Sequence, residues 1–95
     1  MSVKFEWDPK KAASNLSKHG VSFEEGLTVF KDPLGRVFDD EDHSVDERRE
    51  IIIGHSANGR LLVVCFAAKE ESVRLFSARK ATKQERKDYE ENVKS

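Results

Sequence analysis

The sequence predicts an α+β fold, because residues 3–7 alternate apolar and charged side chains, two helix-capping patterns follow at once, and four β-rich runs then precede a last capped segment. In that order the elements read as an N-terminal strand and a helical hairpin packed on a mainly antiparallel meander, with a C-terminal helix. A chain of 95 residues has material for one modest core, so residues 1–95 are read as a single domain.

Val3, Phe5 and Trp7 alternate with Lys4 and Glu6, the pattern of a strand covered on one face. Asp8 can accept from the first amides of a helix, and Pro9 suits the first helical position, where an N–H would have no acceptor. Ala12 and Leu16 make a short apolar stripe, and Gly20 is placed to end the helix in the left-handed conformation. Ser22 and Glu25 read as a capping box for a second helix, with Phe23, Leu27 and Phe30 on one face and Asp32-Pro33 as its end.

The strands are read at Leu34 to Phe38, Arg49 to Ile53, Leu61 to Phe66 and Val73 to Ala78. Asn58-Gly59 signals a tight hairpin with positive φ at both central positions. The run from Leu61 to Phe66 is apolar on both faces, which suits a central strand, while the acidic stretch from Asp39 to Glu47 reads as an exposed connection. Thr82 and Glu85 form another capping box, opening a helix that runs to about Val93 and carries few apolar residues. Such a helix docks loosely and is open to displacement or ordering by a partner.

Charge excludes a simple electrostatic reading. The 17 basic and 18 acidic side chains leave a formal charge of -1, so no global positive field marks a nucleic-acid binder. The single cysteine, Cys65, lies in an apolar run and reads as a core thiol of a protein in a reducing cytoplasm. The chain shows neither the apolar core of a secretory signal nor a run of the roughly 20 residues that a membrane span requires. Asp39-Asp40-Glu41-Asp42-His43 has the residue types of a metal site, yet consecutive carboxylates on an extended segment point to alternating sides. It is read as a solvated loop, with no metal and no other cofactor implied.

The chemistry is carried by arginines set among apolar strand residues. By strict alternation Glu47, Arg49, Ile51 and Ile53 share one face, and Val73, Leu75, Ser77 and Arg79 share another. Sheet twist can bring Arg49 and Arg79 together at one end, where guanidinium groups would hold a phosphate and stabilise charge developing on it. The segment 79–87 holds five cations, among them Lys80, Lys83 and Arg86, against one carboxylate, and it opens a helix. It reads equally as a solvated helix face. RNA cleavage without a metal also needs a base for the ribose 2'-hydroxyl; arginine cannot serve, which leaves Glu47 and His55 as candidates, the latter also readable as a turn histidine. Trp7 reads as packing at the edge of the core, with base stacking as the alternative.

Several separated motifs then carry a family likeness. Phe5-Glu6-Trp7-Asp8-Pro9 with Lys11-Ala12, the stretch from Asn15 to Phe23, Ile53-Gly54-His55-Ser56, and Val73 through Ser77-Ala78-Arg79-Lys80-Ala81-Thr82 resemble BrnT toxins over nearly the whole chain. The resemblance implies a RelE-like ribonuclease toxin that works without a metal and inhibits translation. Its partner would be a ribbon-helix-helix antitoxin resembling BrnA, in a heterotetramer with two copies of each chain, binding operator DNA through the antitoxin. It also implies an acidic residue and arginines as the catalytic set, here Glu47, Arg49, Arg60 and Arg79, with Trp7 as a weaker match; the RNA contacts expected are Trp7 and, from the basic segment, Lys80, Lys83 and Arg86. Asp46 remains an alternative match for the acid, and Arg48 for an arginine. The competing class is a non-catalytic module that binds antitoxin and operator.

Overall fold

A computed structural model of the chain describes residues 3–40 and 47–94. Asp46, and Glu41 to His43 of the acidic run, lie outside the described residues. Element order is β1 (Lys4–Glu6), α1 (Pro9–His19), α2 (Phe23–Thr28), a 3-10 turn (Val29–Lys31), β2 (Arg36–Asp39), β3 (Glu50–His55), β4 (Leu61–Ala68), β5 (Ser72–Lys80) and α3 (Lys83–Lys94). The five strands form one mixed sheet in the order β1-β5-β4-β3-β2. The meander from β2 to β5 is antiparallel throughout, and β1 joins the far edge parallel to β5. The doubly apolar run is the central strand β4, as its lack of a polar face requires.

The two faces of β4 serve two cores. Leu62, Val64 and Phe66 pack with Val21, Phe23, Val29, Ile52, Leu75 and Ala78 beneath α1 and α2. On the opposite face Leu61 and Val63 pack with Ile53 and Tyr89 of α3. Full burial of side chains such as Phe23 and Leu62 stabilises by about 1.5–3 kcal/mol each, so the larger cluster dominates the fold.

Helix boundaries follow the caps. The Lys10 amide donates to Asp8 Oδ1 at 2.9 Å, and Gly20, at φ 68°, donates to the Leu16 carbonyl at 2.9 Å. The stripe on α1 differs from expectation: Leu16 is exposed, and the residue turned inward is Asn15. Its amide donates to the Val21 and Ala78 carbonyls at 2.9 and 2.7 Å and accepts from the Ala78 amide at 3.1 Å. A buried amide satisfied three times can hold the helix to β5 where an apolar residue was expected.

Two turn readings are also corrected. At Ser22 only half of the capping box forms: Ser22 Oγ accepts from the Glu25 amide at 3.0 Å, but the Glu25 carboxylate turns to Arg60 and Ser56. A guanidinium is a stronger donor to carboxylate than a backbone amide. At the hairpin only Gly59 has positive φ, 76°, and Asn58 does not. The Gly59 amide donates to the Ser56 carbonyl and the Ser56 amide to the Arg60 carbonyl, both at 2.9 Å. This is a type I turn closed by a left-handed glycine, the three-residue alternative to the tighter loop.

Candidate functional site

The residue pattern that builds the site is a bulge. Cys65 pairs with Ser77 and Phe66 with Leu75, so β5 spends one extra residue, Phe76, against β4. The side-chain alternation therefore breaks between Leu75 and Ser77. Leu75 stays in the core with Ala78, while Phe76, Ser77 and Arg79 line a cavity on the other side. The expectation that Leu75, Ser77 and Arg79 share a face is thus corrected, and the extra residue supplies an aromatic floor.

That cavity has a volume of about 470 Å³ and is lined by Lys11, Asp40, Arg49, Ile51, Val63, Cys65, Phe76, Ser77 and Arg79. Arg49, in the segment entering β3, lays its guanidinium carbon 3.9 Å from the centre of the Phe76 ring. Lys11 Nζ, from α1, is 5.5 Å from the same ring centre. Stacking on an aromatic face restricts the orientation of a guanidinium. Among the described residues three cations and one carboxylate line the cavity, a local positive excess against an overall charge of -1.

Arg79 has a carboxylate already. Its Nη1 and Nη2 donate to Glu85 Oε1 and Oε2 at 2.7 and 2.9 Å. Glu85 also accepts from the Thr82 amide at 2.8 Å, while its own amide donates to Thr82 Oγ1 at 3.1 Å, so the expected capping box is complete. The Arg79 guanidinium, against the opposing effect of burial and helped by the Thr82 amide, holds the Glu85 carboxyl down at about 2.

Asp40 is 8% exposed and accepts from Cys65 Sγ at 3.3 Å, and its amide donates to the Arg49 carbonyl at 2.9 Å. Burial, then the Asp40 carboxylate, pushes the Cys65 thiol up to about 12. Cys65 is therefore a hydrogen-bond donor at neutral pH and no thiolate nucleophile.

The other sequence candidates lie elsewhere. Arg60 does not join Arg49 and Arg79: it sits on the helical face, where its Nε donates to Glu25 Oε2 at 2.9 Å and its Nη2 to Glu25 Oε1 and the Gly20 carbonyl. The Arg60 guanidinium, against the opposing effect of burial, holds Glu25 down at about 2. Glu47 is half-buried ahead of β3 and is not among the residues that line the cavity. His55 closes β3 beside Asp32 and Tyr89: the Tyr89 hydroxyl is 3.3 Å from its Nδ1, and Asp32 Oδ2 accepts from the His55 amide at 2.7 Å and from the Tyr89 hydroxyl at 3.0 Å. Burial, then Asp32, raises the Tyr89 hydroxyl to about 12.

Trp7 is half-buried and meets Phe23 edge-on, with ring centres 5.7 Å apart. Lys80, Lys83 and Arg86 are exposed and outside the cavity lining. Arg48 pairs with Asp39 at 2.7 Å on the surface. Sequence reasoning missed Lys11, Asp40 and Phe76. The usable signal was the adjacent apolar pair Leu75-Phe76, which interrupts a period of two and marks a bulge.

Residues 7–85 match the family described as ribonuclease toxin, BrnT, of type II toxin-antitoxin system. No curated protein matches the chain. Among solved structures, the crystal structure of the Brucella abortus ribonuclease toxin, BrnT, is similar at a TM-score of 0.66, with 24% identity over 86% of this chain and 100% of that one. At that identity the likeness speaks of the fold alone, an α+β arrangement with a five-stranded mixed sheet. The family match spans the bulge, the cavity and the capping box at Thr82, and this chain belongs to the BrnT family of ribonuclease toxins of type II toxin-antitoxin systems.

Proposed function

We propose that this chain is a metal-independent endoribonuclease of one RelE-like domain, 1–95, which stops translation by cutting RNA. The observation that carries the reading is the shared cavity of Lys11, Arg49 and Arg79 over the Phe76 ring. Guanidinium and ammonium groups there would seat a backbone phosphate and stabilise the extra charge of its pentacoordinate state. A neighbouring 2'-hydroxyl would attack, so the products would carry a 2',3'-cyclic phosphate and a 5'-hydroxyl. Lys80, Lys83 and Arg86 would guide the RNA strand toward the cavity, and Trp7, already engaged with Phe23, would contribute its remaining exposed edge.

Membership of a toxin-antitoxin family implies an antitoxin partner. A ribbon-helix-helix antitoxin, two copies with two of this chain, would supply most of the contacts to operator DNA. Among the described residues no helix is long and apolar enough to cross a membrane, which fits a cytoplasmic site of action. The test is incubation of purified protein with RNA in chelator: cleavage into cyclic-phosphate ends is expected, and its loss in Arg79→Ala. Intact RNA with the wild type, or full cleavage by that variant, would remove the reading.

One observation favours the binding-module alternative: the two-pronged face of Arg79 is already occupied by Glu85. Induction without the antitoxin separates the two, since a module without nuclease activity leaves growth and RNA integrity unchanged.

A further inference from the structure

If the cavity cleaves RNA, it needs a group to take the 2'-hydroxyl proton, and the residues at hand narrow the choice. Arginine stays protonated at any working pH. Cys65 keeps its proton for the reason given above. Ser77 is a hydroxyl with no base of its own beside it among the lining residues, other than the single carboxylate there. His55 is engaged with Tyr89 and Asp32 and lines no part of the cavity. Glu47 also stands outside the lining.

We propose that Asp40 is the general base of this site, an assignment that rests on the ribonuclease reading. Among the described residues it is the one carboxylate lining the cavity, it is buried, and it shares the cavity wall with Arg49, Arg79 and Lys11. Among its contacts, the Cys65 thiol donates to Oδ2 at 3.3 Å, and the backbone amide donates to the Arg49 carbonyl at 2.9 Å, tying the end of β2 to the entry of β3. The thiol restrains the carboxylate from the strand side. Cys65 acts on the reaction through Asp40 and is a positioning residue.

The step balances without a co-reactant. The 2'-oxygen forms a bond to phosphorus as its proton passes to the Asp40 carboxylate, and the bond from phosphorus to the 5'-oxygen breaks. The departing 5'-oxygen takes a proton from the Lys11 ammonium or from water, and Asp40 then returns its proton to solvent as the group that gave one is reprotonated. Arg49 and Arg79 carry the charge on the phosphate oxygens throughout.

The test uses an end-labelled mixed-sequence RNA oligonucleotide in chelator, with its fully 2'-O-methylated counterpart as an uncleavable binding probe. Asp40→Asn is expected to lower kcat by about 10²–10⁴-fold and to flatten the acid limb of the kcat profile against pH. Affinity for the methylated probe should stay within about threefold. Asp40→Glu should recover part of the lost rate, and formate should partly restore Asp40→Gly, neither of which a structural role would produce. If Asp40→Asn does not fold, Asp40→Glu and formate rescue decide the matter: no rescue and an unchanged pH profile overturn the assignment. So does an Asp40→Asn enzyme within about threefold of wild type, or one whose loss lies wholly in probe binding. A wild type that cleaves no RNA overturns the ribonuclease reading and this assignment together; a cleaving wild type with an equally active Asp40→Asn overturns this assignment alone.

Discussion

Arg60 and Arg49 leave the same sheet on opposite faces, and their surroundings set them to different work. On the helical face Arg60 meets Glu25, whose side chain is 9% exposed, together with the Gly20 carbonyl. Its donors are spent on joining the β3-β4 hairpin to the start of α2. On the other face Arg49 lies along an aromatic ring in an open cavity where cations outnumber carboxylates. The lesson is that an arginine among apolar strands does not by itself signal a ligand. What surrounds it does: Arg60 is matched by Glu25 and ties two elements together, whereas Arg49 stands over an aromatic ring beside further cations, where an anion is attracted.

The largest expected effect breaks this comparison most directly. Arg49→Ala should reduce RNA cleavage by about 10²–10³-fold, the usual scale for deleting one donor to developing charge. Arg60→Ala should lower the melting temperature and leave cleavage by the folded protein nearly intact. If Arg60→Ala abolishes cleavage in a fully folded protein, the division between the two faces is lost.

Next in size is the stability of the helical face. Glu25→Gln should destabilise by about 2 kcal/mol in urea titration, below the 3–5 kcal/mol of a fully buried pair because the Arg60 side chain is 34% exposed. A loss under about 0.5 kcal/mol would mean that the pair is ornamental to folding.

Acid sharpens the same contrast. Glu25 and Glu85 are held at about 2 against an ordinary value of 4.5. A depressed carboxyl contributes stability that is fully present above its unfolded value and is lost as pH falls toward the folded one. Wild-type stability should therefore drop between about pH 4.5 and 2, and Glu25→Gln should shrink that drop by about 1–2 kcal/mol. Parallel curves for the two proteins would contradict the assignment of Glu25.

The smallest effect concerns α3, which is attached through few groups. Tyr89→Phe removes the hydroxyl that donates to Asp32 and should cost about 1 kcal/mol. Amide exchange should quicken in α3 and stay unchanged in β4. Uniform acceleration across the sheet would show that α3 is integral to the global fold.

Much of this architecture was determined locally and so was legible in the residues. Asp8, Pro9 and Gly20 bound α1, Thr82 and Glu85 open α3, and the doubly apolar run of β4 had to be central, because caps and burial patterns act over a few neighbouring positions. Sheet twist allows Arg49 and Arg79 to meet, and both line one cavity, though strict alternation misplaces Leu75 beside Arg79. Tertiary structure alone decided the rest. Which carboxylate met which guanidinium depended on distant chain segments, so Glu25 turned from its own helix cap to Arg60, and Asp40 left an acidic run for the cavity wall beside Arg49. The bulge at Phe76 shifted Leu75 into the core and Arg79 into the cavity, since one extra residue reverses side-chain direction for everything beyond it.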